Sequence, residues 1–427
     1  MRDFIIKELK DGKIRQIYEA SLKTLFDRQQ DSGYFPESFT GKYKACFIRT
    51  IGAQTMLLLE LGEYERAKKL LKPTLDLIHD YHLPRAPHWF SLNTTRFDMA
   101  DQIDGEAHII LAFAKYCAAT GDKEFEDTYY PYAAKSIVTV FSEPYFVDGV
   151  KITAAGGDWD RYENWIDSVT ANGYTANPDA LNLIHNFCFE HTRDYHFWDC
   201  YDFLAQSFTG AAADAMLEMF EKRGKTQVAA WMKEKIKAHR MGMRKNFTFV
   251  ENGKTMYYEM LVAEGDKAVP YPALGWPLYG GIGADWKGID PVIFRDTLDY
   301  LNERTMITDP ISKTRINMME YDPAGRIFPS NYTKMVAWAF EYFMSREKWD
   351  NIAEWFKFFS VNYPAAPITE IVMPIGKNGE DLIVMANVLF EGDIPEDIKW
   401  KIEDGGSAEQ NIWFCRAINR MIKALGV

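Results

Sequence analysis

The stretch that decides the fold is LLLELGEYERAKKLL, residues 57–71: an apolar helix end, Gly62, then a second helix opening on an acidic, aromatic pattern. Glycine just past a helix end takes the left-handed C-cap most easily. The signature recurs as AKYCAATGDKEFED with Gly121, MLEMFEKRGKTQVAAW with Gly224, and FEYFMSREKWDNIAEWF near Ser345. Successive turns stand 59, 103 and 121 residues apart. The last spacing is two units of roughly 60 residues, a helical-repeat period. It predicts a turn near residue 285, and GGIGADWKGIDPVIFRDTLDYL supplies one at Asp285 to Gly288. The 103-residue spacing holds one unit plus an insertion, and Ala408–Leu425 is the last member.

Six helix pairs follow, predicted near 2–28, 44–62, 64–82, 102–120, 122–142, 203–223, 226–246, 271–283, 290–304, 329–345, 347–361 and 408–425. The expected architecture is an all-α (α/α)6 toroid, with residues 1–427 forming a single catalytic domain. Two β-hairpins are predicted in its loops, at Asn252-Gly253 and Asn378-Gly379, because Asn-Gly between apolar or alternating runs favours a tight two-residue turn. The connections are asymmetric. Those after the inner helices are a few residues long, whereas those before them span 29–43, 83–101, 143–202, 247–270, 305–328 and 362–407. Long loops are uncommon unless functional, so six at one end predict a rimmed basin there.

Composition excludes several function classes. A net charge of −12 argues against nucleic acid, whose affinity rests on phosphate neutralisation by Lys and Arg, and against a strongly anionic polysaccharide. The N-terminus enters an amphipathic helix with no apolar leader, and no run has the length of a membrane span, so a cytoplasmic, membrane-free protein is expected. The five cysteines are scattered without a C-x-x-C pair and read as reduced core thiols. No metal-ligand set stands out, and no cofactor is expected.

Aromatic residues make up 15% of the chain, and eight of the twelve tryptophans fall in or near the long loops: Trp89, Trp159, Trp165, Trp198, Trp276, Trp286, Trp400 and Trp413. Aromatic planes suit the apolar C–H face of a pyranose, although tryptophan is also a common core residue. Carboxylates accompany them. GGDWDRYENWIDS carries Asp158, Asp160, Glu163 and Asp167; HFWDCYD carries Asp199 and Asp202; IEDGGSAEQNIWF carries Glu403, Asp404 and Glu409. Cleaving a glycosidic bond needs two carboxyl groups flanking it, one protonated and one ionised. Taken singly, several of these have plain roles: Asp199 or Asp202 would cap the helix that follows, and Ser407 would cap the last one. Arg49 opens the helix near 44–62, while Gln102, Asp104, Glu106 and His108 open the one near 102–120. Arg49 and Asp104 on neighbouring helix starts would grip the hydroxyls of a terminal sugar, with a salt bridge and a cap as the plainer alternatives. His108 reads as a supporting or core histidine.

These residues resemble the six-hairpin glycosidases, most closely the glucoamylase type and its debranching glucosidase, phosphorylase and rhamnosidase relatives. The resemblance spans almost the whole chain through scattered motifs. FIRT at 47–50 is similar to the family's Trp-Thr-Arg-Asp element and implicates Arg49, with Thr50 where an acid is usual. DQIDGEA at 101–107 resembles the Gln-x-Asp-Gly element that contacts the terminal sugar, implicating Gln102 and Asp104. DPAGRIFPSNY at 322–332 resembles the Gly-x-Val-Trp-Pro turn, with Phe328 in place of Trp. SAEQ at 407–410 is similar to the Ser-Glu-Gln element and makes Glu409 the general base. For the acid the family patterns diverge: Asp160 after Trp159 ranks first, Glu163 second, and Asp167 and Asp199 below them.

The resemblance implies an inverting, exo-acting glycoside hydrolase that cleaves a neutral, gluco-type oligosaccharide without metal or cofactor. Arg49, Gln102 and Asp104 would bind the sugar, with Trp89, Trp159 and Trp413 as walls. Two other classes remain open: a sugar epimerase or lyase on the same toroid, and a carbohydrate-binding relative without catalysis.

Overall fold

The computed structural model describes residues 1–38, 44–83, 85–91, 96–100, 102–150, 162–191, 196–265, 267–322, 327–328, 330–378, 397–401 and 407–427. Its helices are α1 (Arg2–Lys10), α2 (Lys13–Arg28), α3 (Ile48–Leu61), α4 (Tyr64–Asp80), α5 (Ile103–Thr120), α6 (Lys123–Val140) and α7 (Tyr162–Thr170). They continue with α8 (Phe203–Lys222), α9 (Thr226–Lys245), α10 (Gly280–Ala284), α11 (Pro291–Arg304), α12 (Thr333–Ser345), α13 (Trp349–Asn362) and α14 (Ala408–Leu425). Six of them close a ring in the order α3–α5–α8–α10–α12–α14–α3, each packed on the next. The pairing partners α4, α6, α9 and α13 lie against α3, α5, α8 and α12, and α2 covers α14.

The inner helices carry apolar residues on all sides because they are enclosed by neighbours and outer helices alike. In α5 everything from Ile103 to Ala114 is buried, whereas α4 buries a single face. Buried hydrophobic residues from Ile5 to Met421 form one continuous cluster. The short turns behave as their sequence requires: Gly62, Gly121 and Gly224 adopt left-handed φ values of 78°, 66° and 68°. Asp285 takes the same conformation at φ 50°, which places the predicted fifth turn where the repeat spacing expects it. Gly52 serves packing instead, since a Cβ there would lie 2.7 Å from the His108 carbonyl oxygen, so α3 and α5 approach backbone to backbone.

The structure departs from the sequence reading mainly in the long loops. The first predicted helix is broken at Asp11-Gly12. The predicted helix 271–283 shrinks to α10, preceded by a 3-10 turn at Trp276–Tyr279. Pro277 supplies no N–H there, and Leu274–Gly275 is drawn into a strand with Glu320–Tyr321. Helix α7 falls inside the 143–202 loop, where none was predicted. The Asn252-Gly253 hairpin forms as expected, between Thr248–Glu251 and Lys254–Tyr257. At the second hairpin the strands before the turn pair elsewhere, Ile371–Val372 with Asn331–Tyr332 and Pro374–Ile375 with Lys399–Trp400. Residues 379–396 lie outside the described residues.

These small sheets follow one rule: the chain entering an inner helix is paired with the rim loop that precedes the next inner helix. Cys46–Phe47 pairs with Trp89–Phe90, Cys200–Asp202 with Met260–Val262, Leu274–Gly275 with Glu320–Tyr321, and Asn331–Tyr332 with Ile371–Val372. Between α5 and α8 a side chain makes the stitch, as Ile103 N–H donates to Asn186 Oδ1 at 3.4 Å. Ladder bonds thus hold the N-terminal ends of the inner helices in a closed rim.

Candidate functional site

All inner helices start at the long-loop end, so their N-terminal residues converge on one floor. The charges there are few and tightly connected. Arg49, in the first turn of α3, donates from Nη1 to Asp104 Oδ2 at 3.0 Å and lies with Nε 3.0 Å from Glu409 Oε1. Lys334, in the first turn of α12, donates to both Glu409 oxygens at 3.2 and 3.3 Å. The Lys334 ammonium also stands 4.5 Å from the Trp276 ring centroid and 5.2 Å from that of Tyr332. Asp104, Arg49, Glu409 and Lys334 therefore form one chain of alternating charge drawn from four different inner helices, with Arg49 partly exposed and the other three buried.

The carboxylates suit their places: Asp104 and Glu409 occupy first helical turns, where the helix dipole favours negative charge. The cations do not, and their carboxylate partners offset the unfavourable dipole. Burial alone would raise the Glu409 carboxyl, but Arg49 and Lys334 outweigh it and hold its pKa near 2. Glu409 is accordingly an anion across the ordinary pH range, able to accept a proton and not to supply one. Burial, reinforced by Arg49, pushes the Lys334 ammonium down from the usual lysine range.

Glu37, like Lys334, is a residue that sequence reasoning missed. Its carboxyl accepts hydrogen bonds from the Ser407 and Thr50 hydroxyls and, at 3.1 Å, from Glu409 N–H. Its backbone carbonyl accepts from Ala408 N–H at 2.9 Å. Glu37 thus caps α14 in place of Ser407 and closes the rim between its two ends. It also supplies, from a loop thirteen residues upstream, the carboxyl that position 50 lacks. Burial and the neighbouring Glu409 charge push its pKa up. No motif pointed to it, since a lone Glu in a loop has no pattern.

The other predicted site residues divide sharply. Gln102 is the N-cap of α5, and its Nε2 and Asp104 Oδ1 are buried without a hydrogen-bond partner among the described residues. Trp89 is half-buried in register with Phe47, two residues before Arg49, and borders the floor. His108 lies beneath Asp104: its Nδ1 is 2.6 Å from the Asp104 carbonyl oxygen, and its ring stacks on Phe208 at 3.7 Å. Burial lowers its pKa to about 4, so it is a neutral supporting residue as the sequence suggested. Asp160 and Trp159 lie outside the described residues, as do Asp158, Glu403 and Asp404.

Three expectations need correction. Glu163 and Asp167 do not reach the floor. After residue 161 the chain runs to the opposite end of the ring, where α7 packs on α6 and α9. There Glu163 is exposed and pairs with Lys225 at 2.8 Å, beside the short α8–α9 turn, and Gln227 donates to the Asp167 carbonyl at 2.8 Å. Nearness to Trp165 in sequence did not become nearness to the basin. Asp199 is exposed in the strand before α8 and pairs with His185, whose ring stacks on Tyr201 at 4.8 Å; it is Asp202 that caps α8, accepting from Ala205 N–H at 2.7 Å. Trp413 is fully buried between Phe208 and Trp338, with centroids at 6.1 and 5.1 Å, and presents no wall to a sugar. Trp276, Trp286 and Trp400 are likewise buried, so the tryptophan surplus of the loops is largely core.

Asp202 has a pKa raised to about 7 by burial and by the Asp104 charge. Both its oxygens are occupied, by Ala205 N–H and by Asn186 Nδ2 at 2.8 Å, and the residue is fully buried, which makes it a fastening of the floor. Among the described residues no group of three or more His, Cys, Asp and Glu side chains has the arrangement of a metal site, and no helix is long and apolar enough to cross a membrane.

No protein-family model matches this sequence, and no curated protein does. Solved structures do match. A Streptococcus pneumoniae α-mannosidase in a non-productive complex with α-1,6-mannobiose superposes with a TM-score of 0.59 at 11% identity, over 100% of this chain and 99% of that one. An unsaturated glucuronyl hydrolase specific for heparin gives 0.55 at 11% identity, over 98% and 99%. A bacterial glucoamylase complexed with acarbose gives 0.58 at 13% identity, over 96% of this chain and 56% of its own. Identities this low speak to fold, and on that evidence the chain has the (α/α)6 toroid fold that these glycosidases share.

Proposed function

We propose that the chain is a single catalytic domain acting as an inverting, exo-acting glycoside hydrolase on a neutral, gluco-type oligosaccharide. The observation that carries this reading is the buried Asp104–Arg49–Glu409–Lys334 chain at the N-terminal ends of the inner helices. Glu409 is the base: permanently ionised, it accepts a proton from the water that attacks the anomeric carbon. The proton for the departing glycosidic oxygen comes from a second carboxyl across the substrate. Glu163 and Asp167 do not supply it, because they stand at the other end of the ring, and Asp199 is engaged with His185. Asp160, first in the sequence ranking, is only three residues from Glu163.

Gln102 Nε2 and Asp104 Oδ1, one unused donor beside one unused acceptor, match a pair of sugar hydroxyls, which each donate and accept. Arg49 holds Asp104 in position for this, and Trp89 borders the same subsite. The two cations and two carboxylates of the floor cancel in charge, which favours a neutral sugar over a uronate. The experiment is anomer-resolved NMR of digests of α- and β-linked disaccharides. The expected result is a new reducing end of inverted configuration, lost in Glu409→Gln. Absence of cleavage across the panel, or retention of configuration, defeats the reading.

A further inference from the structure

A cavity of about 510 Å³ lies behind the rim wall. Its walls are aromatic: Phe249 and Tyr258 from the first hairpin, Tyr271 from the strand region that follows, Tyr300 near the end of α11, and Tyr321. Strand geometry separates it from the floor. Leu274 and Tyr321 are register partners and both line the cavity. Their neighbours Gly275 and Glu320, also partners, take the opposite face of the two strands. From Gly275 the chain passes directly to Trp276 beneath Lys334. The cavity and the catalytic floor are thus back to back across one small sheet.

Its polar equipment is specific. The Arg304 guanidinium sits 3.4 Å from the Tyr300 ring centroid and 5.9 Å from that of Tyr321. Stacking fixes its plane, yet its nearest carboxylate contact is Glu251 at 3.8 Å, beyond hydrogen-bond length, and no hydrogen bond among the described residues uses its N–H groups. A pre-oriented fork of donors therefore borders an aromatic cavity. Glu251 and Asp322 line the same space. One cation against two carboxylates disfavours an anionic occupant, while the combination of donors, acceptors and aromatic planes fits a molecule with hydroxyls and apolar C–H faces. The volume falls within the range of small-molecule sites.

We propose that this cavity is a second carbohydrate site that binds one or two neutral sugar units through stacking on its tyrosines and hydrogen bonds to Arg304, independently of the chemistry at the floor. The test is calorimetric titration and saturation-transfer NMR of the full chain with sulfur-linked analogues of maltose and of α-1,6-mannobiose, which resist hydrolysis. Glucuronate is the anionic control. Two classes of site are expected for at least one disaccharide. Arg304→Ala and, separately, Tyr258→Ala should weaken one class at least fivefold while kcat/KM on a disaccharide stays within twofold of the parent. Arg304 is a third exposed and Tyr258 is half-buried, so either variant that folds decides the matter. Binding unchanged in both variants, or tighter binding of glucuronate than of either disaccharide, overturns the proposal. If the chain cleaves nothing but the Arg304-dependent binding persists, the hydrolase reading fails and this site stands.

Discussion

At the N-terminal ends of the inner helices Arg49 and Lys334 are joined to Asp104 and Glu409; at the C-terminal ends Arg416 and Arg420 are joined to Glu60 and Glu341. Both sets tie together α3, α12 and α14, and both place two cations against two carboxylates. They differ in depth and cover. Side-chain exposure is 0% for Asp104, 4% for Lys334, 8% for Glu409 and 23% for Arg49, against 4% for Arg416, 9% for Glu341, 22% for Glu60 and 33% for Arg420. Long loops surround the first set, while short turns leave the second in contact with water. Taken together the first set is the more desolvated, so its charges act on one another somewhat more strongly. Charge type alone does not tell the two ends apart; the loops around them differ.

The largest test of that contrast is Glu409→Gln. Loss of the base should lower kcat by roughly 10³-fold, within the usual range for a positioned acid–base group. Stability should fall as well, by about 3 kcal/mol, because the buried Lys334 loses its carboxylate partner while Arg49 keeps Asp104. Steady-state kinetics with denaturant unfolding reads both. A variant with unchanged kcat would remove Glu409 from the chemistry.

The pH dependence of stability follows next in size. Burial holds His108 neutral with a folded-state pKa of about 4, below the ordinary 6.5. Between those values the unfolded chain binds the extra proton, so stability rises with pH through this window and is lost as pH falls from 6.5 toward 4. The difference corresponds to roughly 3 kcal/mol. His239, lowered to about 3 by burial, adds with the same sign, while Asp202, raised to about 7, opposes both over the same window. The His108 share is therefore read from the difference between parent and variant. Glu409 acts differently: its depressed pKa gives stability present above the unfolded carboxyl value and lost only as pH approaches 2. Urea midpoints at pH 7 and 4.5 should differ, and His108→Asn should flatten the slope; an unaltered slope would mean that His108 is not the titrating group.

Smaller effects separate the two ends directly. Asp104→Asn should cost about 2 kcal/mol of transition-state binding, near thirtyfold in kcat/KM, as expected when a charged hydrogen-bonding group is lost. Glu60→Gln should cost a similar free energy in thermal unfolding while leaving kcat/KM within twofold. If Glu60→Gln instead reduced turnover as much as Asp104→Asn does, the functional asymmetry of the ring would be wrong. Smallest of all, Glu163→Gln and Asp167→Asn should change stability by less than about 0.5 kcal/mol, as exposed groups do, and leave turnover intact. A hundredfold loss in either would return the acid to α7.

How much of this was legible in the sequence follows from the range over which each signal acts. Helix pairing is local. Apolar runs, glycines at C-caps and the roughly 60-residue period of repeats report it through contacts a few residues apart. The asymmetry of loop lengths was enough to say which end would carry the site. Arg49, Asp104 and Glu409 were readable because each follows a long loop at an inner-helix start. Lys334 was not, since TKMVAWAF reads as the apolar opening of a core helix and its lysine gains meaning only opposite Glu409.

Rim chemistry depends on where the loops return, and no local pattern encodes that. Glu163 and Asp167 looked catalytic beside Trp165, yet the loop carries them to the far end of the ring. Glu37 looked like an ordinary loop acid and became the cap of a helix that begins some 370 residues later. The tryptophans of the long loops, read as exposed stacking planes, mostly fill the core, because large aromatic side chains gain most from burial. By itself the sequence determined the helices, their pairing and the end at which the ring opens, through periodicity and capping. Only tertiary structure decided which charges meet on the floor, because that depends on closing a ring whose first and last helices are separated by almost the whole chain.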